Sequence, residues 1–163
     1  MKLFIAACLL ACVPMLAQEA KDVRKHWNTS KEFTLAVANA MPDADYSFKA
    51  AAPEMSFGEM VVHIAQANGS YCGRATGKKS PIGNAAGMDK ASATKLLEES
   101  FDFCAEAISA LNGADFDKMM GPAGRQSSTR ELLWAGFTHV AHHRAQLEVY
   151  LRLKGIKPPD YQF

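Results

Sequence analysis

The chain has 163 residues, 48% of them hydrophobic and 21% charged, with a formal net charge of +1. Such a length suits a single domain and such a composition an ordinary core, which excludes disordered and fibrous classes. A charge balance this close to neutral also gives no reason to expect a nucleic-acid partner.

The N-terminus has a basic start at Lys2, an apolar run from Leu3 to Val13, and a small residue before a polar one at Ala17-Gln18. That order predicts a secretory signal peptide over residues 1–17, cut after Ala17, with the folded domain occupying 18–163. Removing Lys2 leaves 17 of the 18 basic side chains against 17 acidic ones. The apolar run is too short for a transmembrane span, which needs roughly 20 residues. The expected address is therefore periplasmic or secreted. Leu9-Leu10-Ala11-Cys12 offers an alternative, a lipobox with Cys12 as the lipidated residue.

A first helix is expected from about Asp22 to Ala40, ending before Pro42, with a polar loop from Met41 to Pro53 after it. Ser56-Phe57-Gly58-Glu59 fits a capping box, in which hydroxyl and carboxylate satisfy free amides at a helix start. The second helix then runs to about Thr76, its apolar face built on Phe57, Met60, Val61, Ile64, Asn68 and Tyr71. A long glycine-containing loop follows. Asp89 caps a third helix carrying Leu97, Phe101, Cys104 and Ile108, expected to end at Asn112-Gly113 with the glycine left-handed. Ser128-Thr129-Arg130-Glu131 is a second capping box, opening a helix that runs to Lys154 and stops at Gly155 before Pro158-Pro159. No strand pattern stands out. Four amphipathic helices imply an all-α four-helix bundle, and the long connections allow one crossover in place of simple up-and-down order.

Export would leave Cys72 and Cys104 in an oxidising compartment, where a bridge between them competes with two buried thiols. The two would sit on consecutive helices expected to run antiparallel, so the bridge is sterically possible, although the two cysteines lie at different distances from the intervening loop.

His139 and His143 stand four apart on the fourth helix, so both rings leave one side of it. At about 100° per residue, Leu132, Gly136, Leu147 and Tyr150 cluster with them, which places both histidines in the middle of the buried stripe. Two buried polar rings each need a partner, and a shared cation serves both. A third ligand must come from a facing helix. His63 is the candidate, about 100° from the centre of the second helix's apolar face, where its ring can turn inward without having to. His142 points away from its neighbours and His26 lies near the start of the first helix, so neither is read as a ligand. Val140 follows His139, so the glutamate that serves as general base in zinc proteases is missing. Gln66, Asn68, Tyr71, His142 and Gln146 are candidates to line the site or orient the ligands.

The stretch from His139 to Gln146 and on through Leu147 to Pro159 closely resembles the end of the DinB superfamily. Met41-Pro42, Tyr46-Ser47-Phe48, Ser56 to Glu59, His63-Ile64-Ala65 and Leu96-Leu97 through Phe101 resemble its other marks in order. The resemblance implies a four-helix bundle of DinB type holding one metal through three histidines, at positions matching His63, His139 and His143. It also implies frequent dimers, hence a homodimer as a candidate assembly. Characterised relatives include bacillithiol transferases and mycothiol-dependent isomerases, from which the export signal sets this chain apart.

Three neutral imidazoles leave at least one coordination position open, as a site that binds something further requires. Zinc is the first expectation for the ion, with nickel or iron as alternatives. The expected function is that of a metal-dependent hydrolase or transferase acting on a small molecule, with no catalytic residue assigned beyond the metal ligands. The alternatives are a non-catalytic metal- or ligand-binding bundle and a structural remnant whose histidines merely hydrogen-bond. With an ordinary imidazole pKa near 6.5, metal is expected to leave below about pH 6.

Overall fold

The computed structural model describes the backbone of residues 2–85 and 89–162, and the side chains of residues 18–85 and 89–162. Its four helices are α1 (Lys2–Ala40), α2 (Phe57–Thr76), α3 (Lys90–Ser109) and α4 (Thr129–Leu153). α1 starts well before the expected Asp22 and continues unbroken through Ala17-Gln18. The side chains of the proposed leader, Cys12 among them, lie outside those described. No helix among the described residues is long and apolar enough to cross a membrane.

The caps form largely where the sequence places them. Ser56 Oγ accepts from the Glu59 amide and Glu59 Oε2 accepts from the Ser56 amide, completing the capping box. Asp89 Oδ1 accepts from the Ser92 amide at 2.8 Å. At α4 only half of the expected box exists. Ser128 Oγ accepts from the Glu131 amide, but Ser128 itself belongs to a two-residue strand, β2 (Ser127–Ser128), paired antiparallel with β1 (Met119–Met120). Strands this short carry no periodicity, which is why the sequence shows none. Gly113 is a second correction. It has no positive φ, because Asn112 instead caps a short 3-10 turn over Gly113–Asp117. Gly155 does take the left-handed conformation, with φ 74°, and ends α4 as expected.

Pairs of contacting residues give the direction of each helix. Asn68 bonds to Ser100 and Cys72 to Cys104, both across 32 positions, so α2 and α3 run parallel. This overturns the antiparallel arrangement expected of consecutive helices. α4 runs against α2, with Phe57 near Tyr150 and Ala75 bonded to Thr129. It runs with α1, since Glu19 meets Arg130 and Trp27 meets Phe137.

Residues 78–85 retrace α2 toward its start. Gln66 Nε2 donates to the Ala85 carbonyl, and Lys90 Nζ donates to the carbonyls of Asn39 and Met41 at the far end of α1. Gly69 and Gly73, one turn apart, let this segment lie flat on the helix. A Cβ at Gly69 would stand 2.4 Å from Ser80 Oγ, and one at Gly73 2.9 Å from the Lys78 carbonyl oxygen.

The core joins all four helices. Trp27 lies 5.3 Å from the Phe101 ring and 5.1 Å from Phe137, and its indole N–H donates to the Phe101 carbonyl. Those contacts fasten α1 to α3 and α4 by the burial of large aromatic surfaces. α2, held between α3 and α4, turns its second turn toward the middle of α4.

Candidate metal centre

α2 and α4 approach closely because Gly136 has no side chain: a Cβ there would meet Tyr71 Cβ at 3.2 Å. At that closeness His63 from α2 reaches His139 and His143 from α4. The ring centroids stand 4.9 Å (63–139), 4.6 Å (63–143) and 4.4 Å (139–143) apart. One ligating atom from each ring lies within 4.8 Å of the others. His63 Nε2 and His139 Nε2 are 3.1 Å apart.

All three rings are partly exposed, which corrects the expectation that His139 and His143 sit mid-stripe. The buried positions of α4 extend through Leu133, Val140 and Leu151, because this helix packs against α1 as well as α2. That widening moves the centre of the stripe about 80° from His139, and the histidines fall on its flank. From there an ion they held would be accessible from solvent.

The donor set suits a divalent ion. Nitrogens bound at about 2.05 Å to a tetrahedral zinc stand about 3.3 Å apart, close to the His63–His139 separation. His143 Nδ1 lies 2.7 Å from Gln146 Oε1. An amide oxygen only accepts, so Nδ1 carries the proton and Nε2 keeps its lone pair for the ion. Burial, followed by the neighbouring His143, His63 and His142, lowers the His139 pKa to about 4. Burial also lowers His143, against an opposing contribution from Gln146. Both rings are therefore neutral, as ligation requires, and acid release of an ion should need a lower pH than ordinary imidazoles imply. Three such histidines could hold a metal ion.

The other candidates divide. Gln146 orients His143, and Tyr71 packs against the His139 ring at 5.8 Å. Gln66 is committed to Ala85. Asn68 turns away to Ser100, leaving its Oδ1 buried without a partner. His142 is exposed beside His143, at 4.8 Å between centroids, and His26 faces α4 from α1, apart from the cluster. The one feature of the centre that no sequence signal announces is His139 Nδ1, buried without a hydrogen-bond partner.

The sequence matches the DinB family over residues 15–163. The chain belongs to the DinB family. Two solved DinB-like proteins share its fold. One, from Bacillus subtilis, is 23% identical, with a TM-score of 0.73 over 86% of this chain and 97% of its own. The other, from Bacillus cereus, is 19% identical, with a TM-score of 0.72 over 87% and 97%. No curated protein matches.

In this DinB-family chain Gln146 is the outer support of the cluster, and its removal has a readable consequence. Gln146→Leu should weaken zinc binding by about 10- to 100-fold, the usual effect of losing a partner behind a ligand. A competition titration against a chromophoric chelator measures it. Unchanged affinity would show that Gln146 does not set the His143 tautomer.

Proposed function

We propose that this DinB-family protein is an exported metal-dependent enzyme, a hydrolase or transferase acting on a small molecule, with its ion carried by His63, His139 and His143. The observation that carries the reading is the convergence of three imidazoles with no fourth protein ligand among the described residues. A purely structural site would be closed by a fourth. Zinc is the first choice, with nickel or iron accepted by the same donors. When bound, the ion would supply Lewis acidity to a carbonyl, a thiol or water.

The chain's own groups prepare that position. Gln146 fixes one tautomer, Tyr71 covers one side of the His139 ring, and Gln66 fastens the crossover segment beside α2. Export rests on the leader-like residues 1–17. The Cys72–Cys104 disulfide supports it, because such bonds persist in oxidising compartments.

A second reading, a metal- or ligand-binding bundle without turnover, is favoured by the polar neighbours among the described residues: Gln66 and Gln146 are already committed, Asn68 faces α3, and exposed His142 beside His143 is the one candidate base. A screen of ester, amide and thiol-transfer substrates against metal-free and zinc-reloaded protein separates the two. Turnover that appears on reloading and disappears with chelator supports the enzyme. Full zinc occupancy without turnover on any class supports the binder.

The lowered imidazoles also make the metal-free fold acid-sensitive. The unfolded chain takes up protons near pH 6.5, whereas folded His139 resists them to about 4, so between those values the unfolded state holds more protons and stability rises with pH. Metal-free protein should therefore unfold at lower urea concentration at pH 4.5 than at pH 7, and His139→Ala should show less of this dependence. Urea midpoints across that range provide the check, and identical slopes in both proteins would contradict it.

A further inference from the structure

On the side of α4 away from the three imidazoles, a cavity of about 670 Å³ lies between α1 and α4. Its volume and mostly apolar walls, including Val23, Phe116, Leu133, Trp134 and Phe137, are those of small-molecule sites. It extends along α4 from Arg130 to Arg144, about 21 Å at helical rise. The two arginines differ in one respect. Arg130 is neutralised by Glu19, at 2.7 and 2.9 Å, and by Asp117. Arg144 is partly buried and has no carboxylate in ion-pair contact among the described residues. Its guanidinium lies 4.4 Å from the centre of the Phe33 ring and donates to Ser30 Oγ at 3.5 Å. Glu148, one turn on, favours the Arg144 charge through space but makes its ion pair with Arg152.

A cation partly withdrawn from water with no directly bonded carboxylate among the described residues is costly, and a carboxylate offers it two parallel charge-assisted hydrogen bonds. We infer that this cavity binds a small amphipathic monocarboxylate, an acyl or aryl acid, with its carboxylate on Arg144 and its hydrocarbon lying along Phe137 and Leu133 toward Trp134. The site is separate from the histidine cluster and does not depend on the metal reading.

Dodecanoate, kept below its micellar concentration, is the probe. Trp134, 60% exposed at the cavity wall, reports binding by its fluorescence, and calorimetry gives the stoichiometry. The full chain should bind one equivalent saturably. Arg144→Met should weaken this at least about 10-fold, the scale of a lost hydrogen bond to a charged group. Arg144→Lys, which keeps the charge but loses the planar fork, should fall between wild type and Arg144→Met, and neutral dodecanol should bind both variants alike. Failure of dodecanoate to saturate, or equal affinity for Arg144→Met and wild type, would overturn the inference. So would sedimentation showing that a second copy of the chain fills the groove as a dimer unaffected by dodecanoate.

Discussion

Replacing His139 with alanine should reduce zinc affinity by more than about 100-fold, since losing a mere outer partner of a ligand already costs 10- to 100-fold. Tag-free wild type should carry about one equivalent of metal by elemental analysis and the variant almost none. The stability response separates ligand loss from misfolding. His139 Nδ1 is buried without a partner, so removing the ring removes an unsatisfied group, and the metal-free variant should be no less stable than metal-free wild type. Zinc at about a thousand times the wild-type dissociation constant should stabilise wild type by about 4 kcal/mol and the variant by no more than about 1.4 kcal/mol. Equal metal content in the two proteins would remove His139 from the site.

Opening the Cys72–Cys104 bridge by a double alanine substitution should cost about 3–4 kcal/mol. That is the chain-entropy value for a closed loop spanning 32 positions, and it corresponds to a drop in Tm of about 10 °C for a domain of this size. The bridge acts where the topology is least local. It ties α3 to α2 in parallel, and the segment that retraces α2, residues 78–85, lies inside the closed loop. Urea unfolding of oxidised wild type against the variant measures the effect. Two free thiols by mass spectrometry in air-oxidised protein, or a difference below about 0.5 kcal/mol, would contradict it.

Much of this architecture is legible in local chemistry. Ser56 with Glu59, Asp89, Ser128 and Gly155 mark helix ends because caps satisfy amides and carbonyls within a few residues, and the spacing of His139 and His143 is a property of one helix. His63 shows what periodicity omits. An angle at the edge of a stripe makes His63 a candidate without revealing which helix faces it, and the ordered DinB motifs are what select it.

The crossover was less accessible for a plain physical reason. Residues 77–89 can extend about 43 Å, whereas the 20 residues of α2 rise about 30 Å, so the loop permits a return along the helix without requiring it. Gly69 and Gly73 were the available signal, since glycines one turn apart leave a groove for passing backbone. The cavity beside Arg144 was hidden for another reason. α4 presents its histidines to α2 and its Leu133 and Phe137 to α1, and a single apolar stripe averages those two faces into one.

The most direct test of the histidine centre is a crystal grown from protein never exposed to added metal, with anomalous scattering recorded across the zinc, nickel and iron edges. The account predicts one peak about 2.0–2.1 Å from a ring nitrogen of each of His63, His139 and His143, strongest above the edge of the bound element. No peak among those rings, or an ion held elsewhere by other side chains, would contradict it.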